Sequence, residues 1–413
     1  MLDGPGDVAA QPLLDAALGD QRRHDDQAAV TQAQAVVRPG TATGVDRLLG
    51  EPLAEPLREP PRHLLARDAK LAGVGVEAAV VAIAHAEQCT RSRAFADNRS
   101  VPVGVERGVT EMSDTEETGG PPAPLVTNEP VEIAAGVFVI PDGRIPLVPN
   151  IGIVLGERAA LVVDTAMGPR NGETVLRHAR ALAGDRPLIL TVTHFHPEHG
   201  FGAQVFAGEA TIVYNRAQLE ELHDKGAAYV EMFKGFGPSV AAQLEGVELV
   251  EPDIVYDGEA DIDLGGRLVQ LRTWGLAHTR SDQVVYLPEE RVLFAGDLVE
   301  TRLFPIFPYF PPDDAEVDGS RWIEVLERLV ALAPAIVVPG HGEVGDADLV
   351  PTVRDFLVLL RGETARLVGE RHANDAIVAT LEPAIRARYP DWESPEWIGF
   401  GIRCFADAAR RSG

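Results

Sequence analysis

The sequence predicts an α/β protein whose chemistry sits at the carboxyl ends of buried strands. Three observations predict it. Residues 131–192 hold short apolar runs around one segment of helical period, the strand–helix–strand pattern of an α/β layer. The apolar run Leu188-Ile189-Leu190-Thr191-Val192 is followed at once by Thr193-His194-Phe195-His196-Pro197-Glu198-His199-Gly200. Three imidazoles and a carboxylate are thereby delivered at one strand end. Finally, His278, Asp297 and His341 each stand just past later strand-like stretches, in Leu276-Ala277-His278-Thr279, Gly296-Asp297-Leu298 and Pro339-Gly340-His341-Gly342. Ligands of open α/β sheets collect at such positions.

In chain order, residues 131–141, 150–155 and 160–164 read as neighbouring strands separated by turns such as Asp142-Gly143 and Gly156-Glu157-Arg158. Residues 172–182 place Val175, Leu176, Ala179 and Leu182 at helical spacing, and 187–192 is the next strand. After the His-rich loop, 210–214 is a strand and 215–223 a helix opened by an Asn215/Gln218 capping box. A second helical segment over 227–244 is broken at Gly235-Phe236-Gly237-Pro238, which makes it a candidate lid. Strands follow at 261–264, 267–273, 283–287 and 292–295. A helix over 321–332, with Trp322, Val325, Leu326 and Leu329 on one face, leads to strand 335–338. From about 350 onward two helical segments split near Asn374-Asp375 and end in a stretch carrying Trp392 and Trp397.

Composition bounds the function. The chain has 413 residues, 45% of them hydrophobic, enough for a large core, and a formal charge of −26. So acidic a surface is repelled by phosphate backbones and anionic lipid, which argues against nucleic acid and membrane partners and for a small-molecule substrate. Cys89 and Cys404 cannot form a disulfide framework and lie in no metal-type spacing. With no membrane-length apolar run and no signal peptide read at either Met1 or Met112, a cytoplasmic location is expected. Oligomeric state is open, a homodimer being one option.

Residues 1–111 differ from the rest. Of 24 aromatic residues only Phe95 precedes position 112. A stretch without large apolar side chains cannot offset its ordering entropy, so 1–111 is expected to be a low-order extension, and Met112 a candidate native start. This stretch carries 12 basic and 16 acidic side chains, net −4 of the total −26, which leaves −22 on residues 112–413. The expected organisation is therefore 1–111 extension, 112–128 flexible tail, 129–345 catalytic domain, and 346–413 helical extension packed on that domain.

The order His-x-His-x-Glu-His at 194–199, then His278-Thr279, Gly296-Asp297 and Pro339-Gly340-His341-Gly342 resembles the metallo-β-lactamase-fold superfamily over roughly residues 130–345. Five of the eleven histidines belong to this set. The resemblance implies a four-layer αββα sandwich and a metal site in which His194, His196 and His278 hold one ion, Glu198, His199 and His341 a second, and Asp297 bridges both. It implies Zn2+, one or two ions, with iron or manganese as alternatives that imidazole and carboxylate also suit. Two ions sharing a water would leave a hydroxide as nucleophile, flanked by Glu198 and Asp297 as catalytic carboxylates. No Gly-x-Ser-x-Gly elbow competes for that role.

Two positions qualify the resemblance. The family usually has Asp where this chain has Glu198, and one further methylene alters the second ion's geometry. His196 argues against the flavodiiron branch, which places Glu there, while Asp297 resembles the glyoxalase II, lactonase and general hydrolase branches.

The expected activity is hydrolysis of a small-molecule ester, thioester, lactone or β-lactam-type bond. The alternative is a mononuclear iron dioxygenase similar to the persulfide dioxygenases. Asp164, ending Val162-Val163-Asp164, is expected to brace the metal loop. Arg280, Phe307 and Tyr309 are candidates for the substrate pocket. His178, His223 and His372 lie on helical stretches and are expected to be exposed.

Overall fold

A computed structural model of the protein describes residues 80–81 as backbone, and residues 122–311 and 314–412 in full; they belong to one unit. The expectations for 1–111 and for most of the 112–128 tail fall outside the described residues. The strands form two sheets. One contains β2 (Val131–Ala134), β3 (Val137–Ile140), β4 (Ile151–Leu155), β5 (Ala160–Val163), β6 (Leu188–Thr191), β7 (Ala210–Asn215) and β8 (Ile254–Tyr256), hydrogen-bonded in sequence order. The other runs from β1 (Val80–Val81) through β9 (Glu259–Asp263), β10 (Leu268–Arg272), β11 (Val284–Leu287) and β12 (Val292–Gly296) to β13 (Ile336–Pro339). Hairpin neighbours pair antiparallel, whereas β5 to β8 and the β12–β13 pair are parallel. Parallel pairing puts the carboxyl ends of β5, β6 and β7 on one edge.

Period-2 alternation sorts each central strand between two cores. On β5, Leu161 and Val163 join an apolar cluster shared with Leu271, Val285 and Phe294 of the opposite sheet, while Ala160 and Val162 face the helices on the outside. On β12, Val292 and Phe294 point to the same inter-sheet layer, and Leu293 and Ala295 point outward. The sheets approach closely where Gly152 faces Phe294: a Cβ there would lie 2.5 Å from the ring.

Helix α1 (Gly168–Ala183) opens with Pro169 in its first turn and lays Val175, Ala179 and Ala183 on the outer face of the first sheet. After the short helix α2 (Pro197–Gly200) comes α3 (Arg216–Lys234), which joins the same layer through Leu222, Tyr229 and Phe233. Helix α4 (Pro238–Gln243) follows the Gly235–Gly237 break.

On the other side, α5 (Gly319–Ala331) is capped by Asp318, whose carboxylate accepts from the amides of Ser320 at 2.9 Å and Arg321 at 3.0 Å. Its Trp322, Val325, Leu326 and Leu329 are all buried in one cluster with α6 (Leu349–Gly369), α7 (Asn374–Arg388) and α8 (Glu396–Ser412). Helices, sheet, sheet and helices give the four-layer αββα sandwich. Burial of each large side chain in these layers contributes roughly 1.5–3 kcal/mol.

Three elements depart from the sequence reading. α3 runs unbroken where 215–223 and 227–244 were read as separate helices; Gly226 lies inside it, packed beneath Leu249, where a Cβ would stand 2.5 Å from its methyl. The carboxyl-terminal region holds three helices, since Trp397 opens α8 rather than ending a loose segment. Strand β8 was not read from the sequence; its Ile254 and Val255 are only partly buried. Among the described residues no helix is long and apolar enough to cross a membrane.

Candidate metal centre

All the chemistry-bearing side chains but His278 follow a strand end. β5 ends at Val163 before Asp164, β6 feeds 193–199, β12 ends at Gly296 before Asp297, and β13 ends at Pro339 before Gly340 and His341. His278 comes from the loop between β10 and β11. Close approach of β12 and β13 requires glycine twice. A Cβ on Gly340 would stand 1.8 Å from Asp297 Oδ1, and Gly296, at φ +55°, has Thr193 where its own Cβ would be.

The seven side chains converge into two buried groups that share Asp297: His194, His196, His278 and Asp297, and Glu198, His199, Asp297 and His341. Within each group the potential ligand atoms lie within 4.8 Å of one another. Asp297 Oδ2 is 3.9 Å from His194 Nε2, 3.8 Å from His278 Nε2 and 3.7 Å from His341 Nε2, while Oδ1 is 3.2 Å from His199 Nε2.

Hydrogen bonds around the rings decide which nitrogen faces inward. A backbone carbonyl only accepts, so His278 Nδ1 carries the proton it donates to Ile306 O at 2.9 Å, and His341 Nδ1 does the same to Val148 O at 3.0 Å. His199 Nδ1 is held by Asp164 Oδ2 at 3.0 Å. In each case Nε2 is left facing the cluster, where a bound ion would take its lone pair, the usual arrangement of a metal-binding imidazole. His194 Nε2 and His196 Nδ1 are 3.0 Å apart and both face the same point.

These residues fit a cation. Glu198 Oε2, His199 Nε2 and both oxygens of Asp297 are buried with no hydrogen-bonding partner, a costly state for polar atoms unless a charge lies between them. Burial, with neighbouring imidazoles, holds His194 and His196 far below the ordinary histidine range, and burial pushes His278 down to about 4. All three are neutral at physiological pH, the form in which an imidazole can hold a metal. Burial works against ionisation of Asp297, yet His199 and His341 hold its carboxyl well below the usual range. Burial also opposes protonation of His199, but the carboxylates of Asp297 and Asp164 hold its pKa well above the usual value. Desolvation raises Glu198. The donor set, imidazole and carboxylate in two groups, can hold metal ions.

Asp164 is hydrogen-bonded to the loop that carries His194 and His199. Its Oδ1 accepts from Thr193 N at 2.7 Å, and Oδ2 from Thr193 Oγ1 at 3.0 Å, while its own backbone sits at φ +68°, a strained position for a non-glycine residue.

Other braces were not singled out in the sequence. Asn150 Nδ2 donates to Pro339 O at 3.0 Å and Gly342 O at 2.7 Å, and Asp142 Oδ2 accepts from Gly342 N at 2.9 Å, so the His341 loop is clamped from the segment between β3 and β4. Asp142-Gly143 had read only as a turn. Asp282 accepts from Thr279 N and Oγ1 and thereby fixes the turn after His278; burial pushes its carboxyl up to about 8. Glu300 accepts from Ile306 N at 3.2 Å, the amide of the same residue whose carbonyl orients His278. Trp322 donates to Leu298 O at 3.0 Å and sets its ring 5.4 Å from His278.

A cavity of about 310 Å³ opens onto His196, Glu198 and His341. Its walls are Ile145 and Leu147, then Met232 and Phe236 beside the lid break, then Ile306, Pro308 and Phe310, and finally Trp397. The three residues proposed from sequence for the pocket lie elsewhere. Phe307 is buried against Trp322 at 5.1 Å and Phe405 at 5.8 Å, and Tyr309 is buried with its hydroxyl donated to Asp407 at 2.8 Å. Arg280 pairs with Asp224 at 3.1 Å and is not among the lining residues. The run 304–310 does wall the cavity, but through Ile306, Pro308 and Phe310.

Comparison with known proteins agrees with this geometry. The sequence profile of the metallo-beta-lactamase superfamily matches residues 144–341, the span that supplies all seven clustered side chains. Acyl-coenzyme A thioesterase MBLAC2 of Gallus gallus is 30% identical over 206 residues, covering 46% of this chain and 72% of that protein. Metallo-beta-lactamase type 2 of Bacteroides fragilis is 23% identical over 215 residues, covering 51% and 76%. Among solved structures, the stereoselective inverting sec-alkylsulfatase Pisa1 from Pseudomonas sp. superposes with a TM-score of 0.50 at 15% identity, over 68% of this chain and 50% of that one, a likeness of fold. With the sandwich, the strand-end clusters and the profile in agreement, the chain belongs to the metallo-β-lactamase superfamily and is a metallo-hydrolase of that fold.

Proposed function

We propose that the enzyme hydrolyses thioesters or esters of apolar acyl groups, using zinc held by His194, His196 and His278 on one side and by Glu198, His199 and His341 on the other, with Asp297 shared. The observation that carries this reading is the apolar cavity that ends on His196, Glu198 and His341. It is of the size of a small-molecule pocket, with its few polar groups converging at one end. Similarity to an acyl-coenzyme A thioesterase supports the same bond type. Bound zinc would supply Lewis acidity towards the carbonyl and an activated water at neutral pH.

The protein's part is orientation and exclusion. Ile306 O, Val148 O and Asp164 turn His278, His341 and His199 so that each Nε2 faces the shared Asp297, which removes the reorganisation otherwise needed when charge develops. Ile306, Pro308 and Leu147 give the cavity an apolar wall beside His196, Glu198 and His341, from which an apolar acyl chain would displace water. Tyr229 stacks its ring edge 5.7 Å from His196, but burial keeps its hydroxyl neutral and the proton is given to Asp314 at 2.8 Å. It therefore positions His196 and is not available as an acid to the leaving group.

The test is turnover by the zinc-loaded full-length protein of octanoyl thioester, p-nitrophenyl octanoate, a lactone and nitrocefin. Thiol release from the thioester that stops on chelation and returns with zinc is the expected result. Activity on none of the acyl substrates, or activity indifferent to chelation, refutes the proposal. A single iron per chain with oxygen consumption on a persulfide would establish the dioxygenase instead.

A further inference from the structure

Part of the cavity wall is built from outside the superfamily core. The superfamily profile ends at residue 341, yet Glu393, Ser394, Glu396 and Trp397 line the cavity that begins at His196 and His341. This segment is fastened to the loop that follows Asp297. Glu393 N donates to Arg302 O at 2.9 Å, Phe304 N donates back to Glu393 O at 3.1 Å, and Leu303 and Glu393 form a parallel bridge. Behind it, Phe304, Phe356, Tyr389 and Trp392 stack with centroid distances of 4.7–6.3 Å, so the wall rests on the carboxyl-terminal helices.

The apolar face of this wall is aromatic. Trp397 lies 6.4 Å from Phe310 and 5.4 Å from Phe400, and Phe310 lies 5.1 Å from Phe400. Phe310 is 38% exposed, and the other apolar wall, beside the lid break, leaves Met232 41% and Phe236 56% exposed. Phe236 and Phe310 are the two exposed aromatic rings among the described residues, and both border this cavity, which calls for an apolar occupant.

The polar groups in the same lining say what that occupant lacks. Arg144 is paired with Glu343 and lies 3.5 Å from Glu393, while Glu396 and Asp142 add further carboxylates. An anionic group on a bound acyl chain would meet carboxylates and a guanidinium already neutralised.

We propose that the carboxyl-terminal segment 393–397 is the acyl selector of this enzyme: Trp397 and Phe310 grip an uncharged apolar chain, and Glu393 with Glu396 turn away chains that end in a carboxylate. The inference rests on the ester or thioester reading above and adds the substrate's acyl class.

The test uses the zinc-loaded full-length protein and N-acetylcysteamine thioesters of acetate, octanoate and the eight-carbon dicarboxylic half-acid. The wild type should prefer octanoyl to acetyl and to the half-acid by at least about tenfold in kcat/KM, the range one lost apolar contact can span. Trp397→Ala should lower the octanoyl-to-acetyl ratio about tenfold, and Trp397→Phe should restore most of it. Phe310→Ala, at an exposed position, gives a second reading of the same ratio should Trp397→Ala not fold. Glu396→Gln should narrow the gap between octanoyl and the half-acid. A wild type without octanoyl preference, or variants in which acetyl and octanoyl rates fall in parallel, overturns the selector. Absence of hydrolysis by the wild type at every chain length overturns the thioester reading instead.

Discussion

Asp164→Asn separates the two metal groups. Asp164 accepts three hydrogen bonds: Thr193 N at 2.7 Å, Thr193 Oγ1 at 3.0 Å and His199 Nδ1 at 3.0 Å. An asparagine of the same shape can keep one oxygen on the Thr193 amide, which fixes its amide nitrogen towards His199. That nitrogen donates, so His199 must turn its Nδ1 into an acceptor and move its proton to Nε2, the atom 3.2 Å from Asp297. The lone pair needed by the second ion is lost. Breaking a charge-assisted hydrogen bond costs about 1.5–3 kcal/mol, and loss of such a brace typically costs 10–100-fold in metal affinity. The first group does not contain His199. Calorimetric titration of the metal-free protein with zinc, using a competing chelator, should therefore show one ion weakened roughly 10–100-fold and the other nearly unaffected. Equal weakening of both ions, or unchanged affinity for both, would refute the tautomer reasoning.

Gly340→Ala places a methyl 1.8 Å from Asp297 Oδ1; overpacking of this kind costs about 1–3 kcal/mol, and a zinc content well below that of the wild type in an otherwise folded protein is expected. Glu198→Asp draws the orphaned Oε2 back from its group, so the second ion should bind more weakly by titration, against the expectation that the shorter side chain usual in the family improves the site. Asn150→Ala removes two donors that hold Pro339 O and Gly342 O; each costs about 1 kcal/mol, lowering the thermal midpoint and kcat together, and a change in the midpoint alone would show that the His341 loop stands without this clamp. Cys404 is buried and desolvation lifts its thiol to about 11, so thiolate is scarce at pH 8 and alkylation, followed by mass spectrometry of its peptide, should stay slow until denaturant is added or the pH approaches that value. Rapid labelling of native protein at pH 8 would contradict the buried position.

Much of this site was legible because its parts are local. A ligand that follows a buried strand by one to three residues, as His194, Asp297 and His341 do, is placed by the strand itself, and an apolar run of four residues is enough to recognise the strand. The Asn215/Gln218 capping box is local too: both reciprocal bonds, at 2.9 Å, span three residues. The resemblance of the motif order to a known superfamily then implied which distant ligands meet.

What only the tertiary structure decided are relations between residues far apart in sequence. Asn150 and Asp142 clamp the His341 loop across 189 to 200 positions, and neither has a local pattern that marks a brace. Within 304–310 Pro305 and Pro308 exclude a regular strand, but do not decide which side chains face the cavity. Phe307 and Tyr309 turn inward because Trp322, Phe405 and Asp407 are there to receive them, which leaves Ile306, Pro308 and Phe310 to face the cavity. An irregular segment has no fixed period to assign its faces, so the partner packed against it does so; the same holds for Trp397, which becomes a wall only once the last helices dock beside the loop after Asp297.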